Sequence, residues 1–195
     1  MTEKNPSVLA QLSNQVQILG GFVILIWVIE ILDVFVFRQS LDRFGILPRN
    51  IIGLRGILFA PFLHGSFAHV AANTMPFLVL GWFIMLRGTK QFYFVSFISA
   101  LVAGVGTWVF GSPAFHIGAS GVVFGYLGFL IFKGYFERSA IAIFLSFTAA
   151  FLYGGVLWGV LPLQRGISWE GHLFGFIGGV IAAKILSPTK IPSDP

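Results

Sequence analysis

The stretch Gly118-Ala119-Ser120-Gly121-Val122-Val123-Phe124-Gly125 decides how this chain reads. A serine among small residues opens an apolar run, residues 122–132, of the kind that continues as a membrane helix. A serine hydroxyl does not ionise near neutral pH, so a nucleophilic Ser120 needs a base within hydrogen-bond reach. The chain has four histidines, and one of them, His172, opens the last apolar run in Gly171-His172-Leu173-Phe174-Gly175. The expectation is that Ser120 and His172 meet inside a bundle of membrane helices.

Composition supports the bundle. Hydrophobic residues make up 56% of the 195 positions and charged ones 10%, and the mean hydropathy is +0.89. These values lie outside the soluble globular range and read as a polytopic membrane protein. The 23 Phe and 5 Trp supply lipid-facing bulk, and the 24 Gly supply places where helix backbones approach closely. There is no cysteine, which excludes disulfides and thiolate metal sites. The net charge of +5 is spread over loops and helix ends without a basic, aromatic-interleaved patch, so it fits anionic lipid and not nucleic acid. No phosphate loop is present, and no pair of ligands at helical i, i+4 spacing sits beside a carboxylate, so neither cofactor nor metal is expected.

A helix crossing about 30 Å of hydrocarbon needs about 20 mostly apolar residues. Six runs qualify or nearly do: 17–37, 66–86, 92–110, 120–133, 140–161 and 170–186. They predict an all-α membrane bundle in one domain, residues 17–187, after a short cytoplasmic segment 1–16 and before a polar tail 188–195. The first run is too long for a signal-peptide core and has no small-residue cleavage site after it, so it reads as a retained span. Its Glu30 and Asp33 are expected to face protein partners. Residues 38–63 interleave Arg38, Arg43, Arg49 and Arg55 with Phe44, Ile46, Leu47, Ile51, Ile52 and Leu58. Too polar to span and too apolar to float free, that segment reads as lying in the membrane interface. Lys4, Arg87, Lys90, Lys133, Arg138, Lys184 and Lys190 fall on one side of the predicted topology, which puts both termini in the cytoplasm; the first-loop arginines and Arg165 fall on the other.

In that topology the second, fourth and sixth helices run the same way, and each carries polar residues in its opening turns. His64, His69 and Asn73 belong to the second, Ser120 to the fourth and His172 to the sixth. Polar groups within lipid are costly and mark sites. A fourth helix ending at Lys133 would be only about 20 Å long, placing Ser120 below the membrane surface under a water-filled cavity. Gly121 and Gly125 on the fourth helix, with Gly175 and Gly179 on the sixth, have the four-residue spacing that lets two backbones touch. Packing those faces would bring Ser120 and His172 together. His69 and Asn73 share one helix face and can donate to an oxyanion, as can the Ser120 N–H at a helix start. Glu170 is two residues from His172 and faces elsewhere, so a dyad is expected, not a triad. Taken singly, each motif also has a plain structural reading: Gly-Ala-Ser-Gly as a packing seam, His172 as a core histidine, His69 and Asn73 as interhelical hydrogen-bond partners, and His116 as a polar loop residue.

Together these residues resemble the rhomboid family of intramembrane serine proteases. The resemblance runs from about Arg55 to Gly179 and rests on His64-x4-His69-x3-Asn73, on Gly118-x-Ser120-Gly121 and on His172-x2-Gly175-x3-Gly179. It implies Ser120 as nucleophile, His172 as general base and then acid, and His69, Asn73 and the Ser120 N–H around the oxyanion. It implies support roles for His64, Arg55, Gly118, Gly121, Phe124, Gly175 and Gly179. The fifth helix and residues 161–168 would correspond to a mobile gate and cap. Transmembrane protein substrates would be the partners, without cofactor, and the oligomeric state is not implied. Separately, a compact chain with little more than the six-helix core reads as a protein of a bacterial inner membrane. The chain departs from the family pattern at Phe124, where many members carry tyrosine, at Gly171, commonly alanine, and at Leu54, which replaces the tryptophan of a Trp-Arg pair. The other functional class in view is a catalytically silent rhomboid-like binder of transmembrane helices. Retention of both Ser120 and His172 favours the enzyme.

Overall fold

The computed structural model describes residues 7–163 and 166–187. Lys4, Arg165, Lys190 and the tail 188–195, used above for orientation and domain limits, lie outside the described residues.

Among the described residues, six long helices form the bundle: α1 (Val8–Leu32), α2 (Phe67–Met85), α3 (Thr89–Phe110), α4 (Ser120–Glu137), α5 (Ala140–Tyr153) and α6 (Trp169–Ile185). The fold is all-α, as expected. Among the described residues, four segments are long and apolar enough to cross a membrane: Val8–Phe37, Phe67–Met85, Thr89–Phe110 and Ala140–Val160. The two remaining helices, α4 and α6, carry Ser120 and His172. They pack against each other more extensively than any other pair, and α3 closes over α6. They can therefore be more polar than lipid-facing helices, because the rest of the bundle surrounds them.

Several boundaries differ from the sequence expectation, each for a local reason. The first helix begins at Val8 and not near Gln17: the Ser7 hydroxyl caps it by accepting the Ala10 N–H at 3.3 Å. Gln15 is then held by the end of α2, donating to the Met85 carbonyl at 3.3 Å and accepting from Trp82 Nε1 at 3.1 Å. The fourth helix runs past Lys133 to Glu137, 18 residues or about 27 Å. Its length therefore gives no reason to place Ser120 deep. Lys133 does not end the helix, because its ammonium is only 4% exposed and is paired with Glu137 Oε2 at 3.1 Å. The fifth helix loses α geometry at Gly154-Gly155 and continues as a 3-10 turn, Gly154–Val160, since two glycines are weak helix formers.

Residues 38–63 form a chain of short helical turns, including Leu41–Phe44, Ile51–Arg55 and Gly56–Phe59, with Ile51, Ile52, Leu58 and Phe59 exposed. Asp33 organises the way in. Its Oδ1 accepts the Leu41 N–H at 2.9 Å and its carbonyl accepts the Gln39 N–H at 2.9 Å. Glu30 is 1% exposed, and neither carboxylate oxygen has a partner among the described residues.

Candidate active site

The loop between α3 and α4 sets the site's height and orientation. Gly111 ends α3, and residues 112–119 then return into the bundle. His116 pairs through its backbone with Ile46 in both directions at 2.9 Å, and the Gly118 N–H reaches the Ala60 carbonyl at 2.9 Å. Gly118 has φ +118°, and a Cβ there would stand 2.8 Å from the His69 ring. Both conditions require glycine. Ser120 follows as the first residue of α4.

Below the serine the glycine faces meet as anticipated. A Cβ on Gly175 would overlap the Gly121 carbonyl, and one on Gly179 would overlap the Gly125 carbonyl. With the backbones at that separation, Ser120 Oγ lies 2.9 Å from His172 Nε2. The other ring nitrogen, Nδ1, is 2.9 Å from the Gly159 carbonyl. A carbonyl only accepts, so Nδ1 carries the hydrogen and Nε2 presents its lone pair to the serine hydroxyl. Phe124 stacks on the imidazole with centroids 4.1 Å apart and planes 8° from parallel. The hydroxyl missing at Phe124 leaves that stack intact. Glu170 turns away from His172 and accepts the Ser112 N–H at 3.0 Å.

A cavity of about 820 Å³ opens over this pair, bordered by His69, Asn73, Ser120, Phe124 and His172 among others. Asn73 is buried and donates one amide hydrogen to the His69 carbonyl at 3.2 Å. Its second hydrogen, the His69 ring and the Ser120 N–H at the helix start are candidate donors on this wall. His64 is separate from them: 2% exposed, it accepts the Ala119 N–H on Nε2 at 3.3 Å and so braces the residue before the serine. Burial holds its imidazole down at about 4, which keeps the acceptor neutral. Arg55 is more distant still, donating to the Arg43 carbonyl at 2.9 Å and lying over the Phe44 ring at 4.4 Å. It fastens the first loop to itself. No group of three or more potential metal ligands occurs among the described residues.

Two contributors escaped the sequence reading. The Gly159 carbonyl that fixes the His172 tautomer is a backbone group and leaves no residue-type signal. His116, read as a polar loop residue, is buried between Ser168 and Ser112. Ser168 stands three residues before Gly171, the spacing of a helix cap, and that was the available hint.

The rhomboid domain family matches residues 53–189, more than half of the chain. The chain belongs to the rhomboid family. The matched segment contains every residue of the cavity wall named above, and α1 precedes it. An uncharacterized protein of Mycobacterium tuberculosis is 41% identical over 175 residues, covering 85% of this chain and 72% of that protein. An uncharacterized protein of Mycobacterium leprae is 42% identical over 175 residues, 85% of this chain and 69% of its own. Rhomboid protease GluP of Bacillus subtilis is 27% identical over 179 residues, 86% of this chain and 34% of GluP. Rhomboid membership and the apolar helices make this a multi-pass membrane protein of a family of intramembrane proteases.

Proposed function

We propose that this rhomboid protein is a serine endopeptidase that cuts membrane proteins in or near their transmembrane segments through a Ser120–His172 dyad. The observation that carries the reading is the 2.9 Å approach of Ser120 Oγ to His172 Nε2, with Nδ1 held by the Gly159 carbonyl. In that arrangement His172 accepts the serine proton as Oγ attacks a substrate carbonyl. The imidazolium then returns the proton to the leaving amine, releasing the first product and leaving an acyl-serine. Water entering from the cavity repeats the cycle in reverse order, with His172 again as base.

Asn73 Nδ2, His69 and the Ser120 N–H are the donors proposed for the oxyanion, where preorganised hydrogen bonds commonly contribute the largest share of rate. No carboxylate is required, because the Gly159 carbonyl sets the tautomer that an acid sets in a triad. Substrates would reach the site from the bilayer, past α5, which is the most lipid-exposed of the four long segments. The basic residues Arg87 and Lys133 gather around Glu137 at the end of α4 opposite Ser120. That supports a site facing outward from a bacterial inner membrane with both termini cytoplasmic.

The test is cleavage of a single-span substrate by the purified protein, beside Ser120→Ala and His172→Ala. Cutting within the membrane segment by wild type alone supports the dyad. Binding without cutting by wild type, across several substrates, would replace the enzyme with a silent helix binder.

A further inference from the structure

We propose that His116 is a positioning residue that fixes the distance between Ser120 and His172 by clasping the cap of the helix that carries the base. The inference rests on the dyad reading and adds to it a residue that touches neither reacting atom.

His116 lies four residues before Ser120 and is 8% exposed. Its main chain is already immobilised by the two-way pairing with Ile46 of the first loop. Its ring then bridges two further segments. Nε2 is 2.9 Å from the Ser112 carbonyl, which can only accept, so Nε2 carries a hydrogen. Nδ1 is 2.7 Å from Ser168 Oγ. The Ser168 oxygen is also the cap of α6, accepting the Gly171 N–H at 3.3 Å. With its lone pair turned to Gly171, the hydroxyl donates its hydrogen to His116 Nδ1. One serine oxygen therefore ties the first turn of the His172 helix to the loop that delivers Ser120. The Ser112 N–H to Glu170 contact at 3.0 Å runs parallel to it.

The glycine seam holds α4 and α6 together below the dyad, and the His116–Ser168 bond holds them above it. Two attachments on opposite sides of a 2.9 Å hydrogen bond are what fixes such a distance. With only the lower one, the helices can pivot about the seam. Loss of the upper attachment should therefore reduce the chemistry while leaving substrate capture alone, since small misplacements of reacting groups are costly in rate.

The experiment measures Ser120 acylation by a small β-lactam, whose amide bond opens onto Oγ, together with kcat and KM for substrate cleavage and the thermal midpoint of each variant. For His116→Ala and Ser168→Ala, acylation and kcat are expected to fall about 10- to 100-fold with KM changed less than about threefold. The double variant should lose less than the two single losses combined, because the His116–Ser168 bond is already gone in either single variant. Ser168→Asn should restore most of the rate, as its amide oxygen can cap Gly171 while its NH₂ donates to His116. His116→Phe keeps a ring of similar bulk and leaves Ser168 capping Gly171, but offers the Ser168 hydroxyl no acceptor; it should stay folded and slow, which preserves the test if the alanine variants do not fold. Unchanged acylation in folded His116→Ala or His116→Phe, additive losses in the double variant, or losses that only follow the unfolded fraction would each overturn the proposal. Wild type that is never acylated at Ser120 removes the dyad reading and this one with it. Wild type that is acylated and cleaves, beside an equally reactive His116→Ala, removes only this one.

Discussion

Phe124 lies flat against His172, one turn after Ser120, with ring centroids 4.1 Å apart. The stack sets the plane of the imidazole while the Gly159 carbonyl sets its rotation, so two contacts orient the proposed base, which no carboxylate holds. Stacked aromatic pairs contribute about 0.5–1.5 kcal/mol beyond their buried area. If that orients the base, Phe124→Leu should lower kcat by about 2- to 12-fold, with KM little changed. Phe124→Tyr keeps the ring and should stay near the wild-type rate. Steady-state cleavage of one substrate by the three proteins checks this, and an unaffected Phe124→Leu would show that the ring plane does not matter.

Gly175 faces the Gly121 carbonyl with no room for a methyl group. Gly175→Ala must separate α4 from α6, and overpacking of this kind costs typically about 1–3 kcal/mol. The same displacement opens the serine–histidine contact. Stability and Ser120 acylation should therefore fall together in Gly175→Ala. In Gly20→Ala, where a Cβ meets nothing within 4 Å, neither should change. Denaturation in detergent and β-lactam labelling read the two effects. A Gly175→Ala protein that is destabilised yet labelled at the wild-type rate would show that the seam does not set the dyad.

At the opposite end of α4, Glu137 accepts from Arg87 and from Ser139 Oγ and pairs with Lys133, which also donates to the Leu186 carbonyl. Removing the carboxylate strands a lysine that is 4% exposed. Breaking one partner of a buried pair costs about 3–5 kcal/mol. Glu137→Ala should lose stability on that scale, and Glu137→Ala combined with Lys133→Met should recover much of it. The folded fraction should still be acylated at Ser120 normally. Equal stability of Glu137→Ala and wild type would mean that Lys133 finds solvent or another partner.

What the sequence made legible follows from which interactions are written in residue types. Ser120, His172 and the glycines four apart on two runs are side-chain facts, and their spacing on helices was enough to bring them together. The limits of α4 were harder, because a lysine normally signals the end of a membrane run. Here it is silenced by Glu137 one turn on and by the Leu186 carbonyl at the end of α6, an arrangement that depends on tertiary structure. The start of α1 was hidden for a similar reason: Gln15 is polar in sequence but is satisfied by Trp82 and Met85 in the fold. The Gly159 carbonyl could not be read at all. His116 was visible but ambiguous until Ser168 was seen beside it.

Two groups flanking the site titrate in opposite senses, and that gives a pH prediction. Burial first, and the neighbouring His69 second, hold His64 down at about 4 from an ordinary 6.5. A lowered folded-state value means its contribution is full above about pH 6.5 and is lost as pH falls towards 4. Asp42 is the reverse: burial first, and the Asp33 carboxylate second, push it up to about 6 from 3.8. Its contribution is full below about pH 3.8 and is lost as pH rises through 6. Across pH 4–6.5 the two offset one another in the wild type. Asp42→Asn removes the second and should leave a protein that loses stability more steeply on acidification, while gaining relative to wild type at pH 7.5. His64→Gln, whose amide oxygen can still accept the Ala119 N–H, removes the first and should gain stability on acidification over the same range, where wild type stays nearly level. Thermal midpoints measured from pH 4 to 7.5 compare the three curves. Curves that stay parallel would mean that neither group changes its protonation between the folded and unfolded chain in this window.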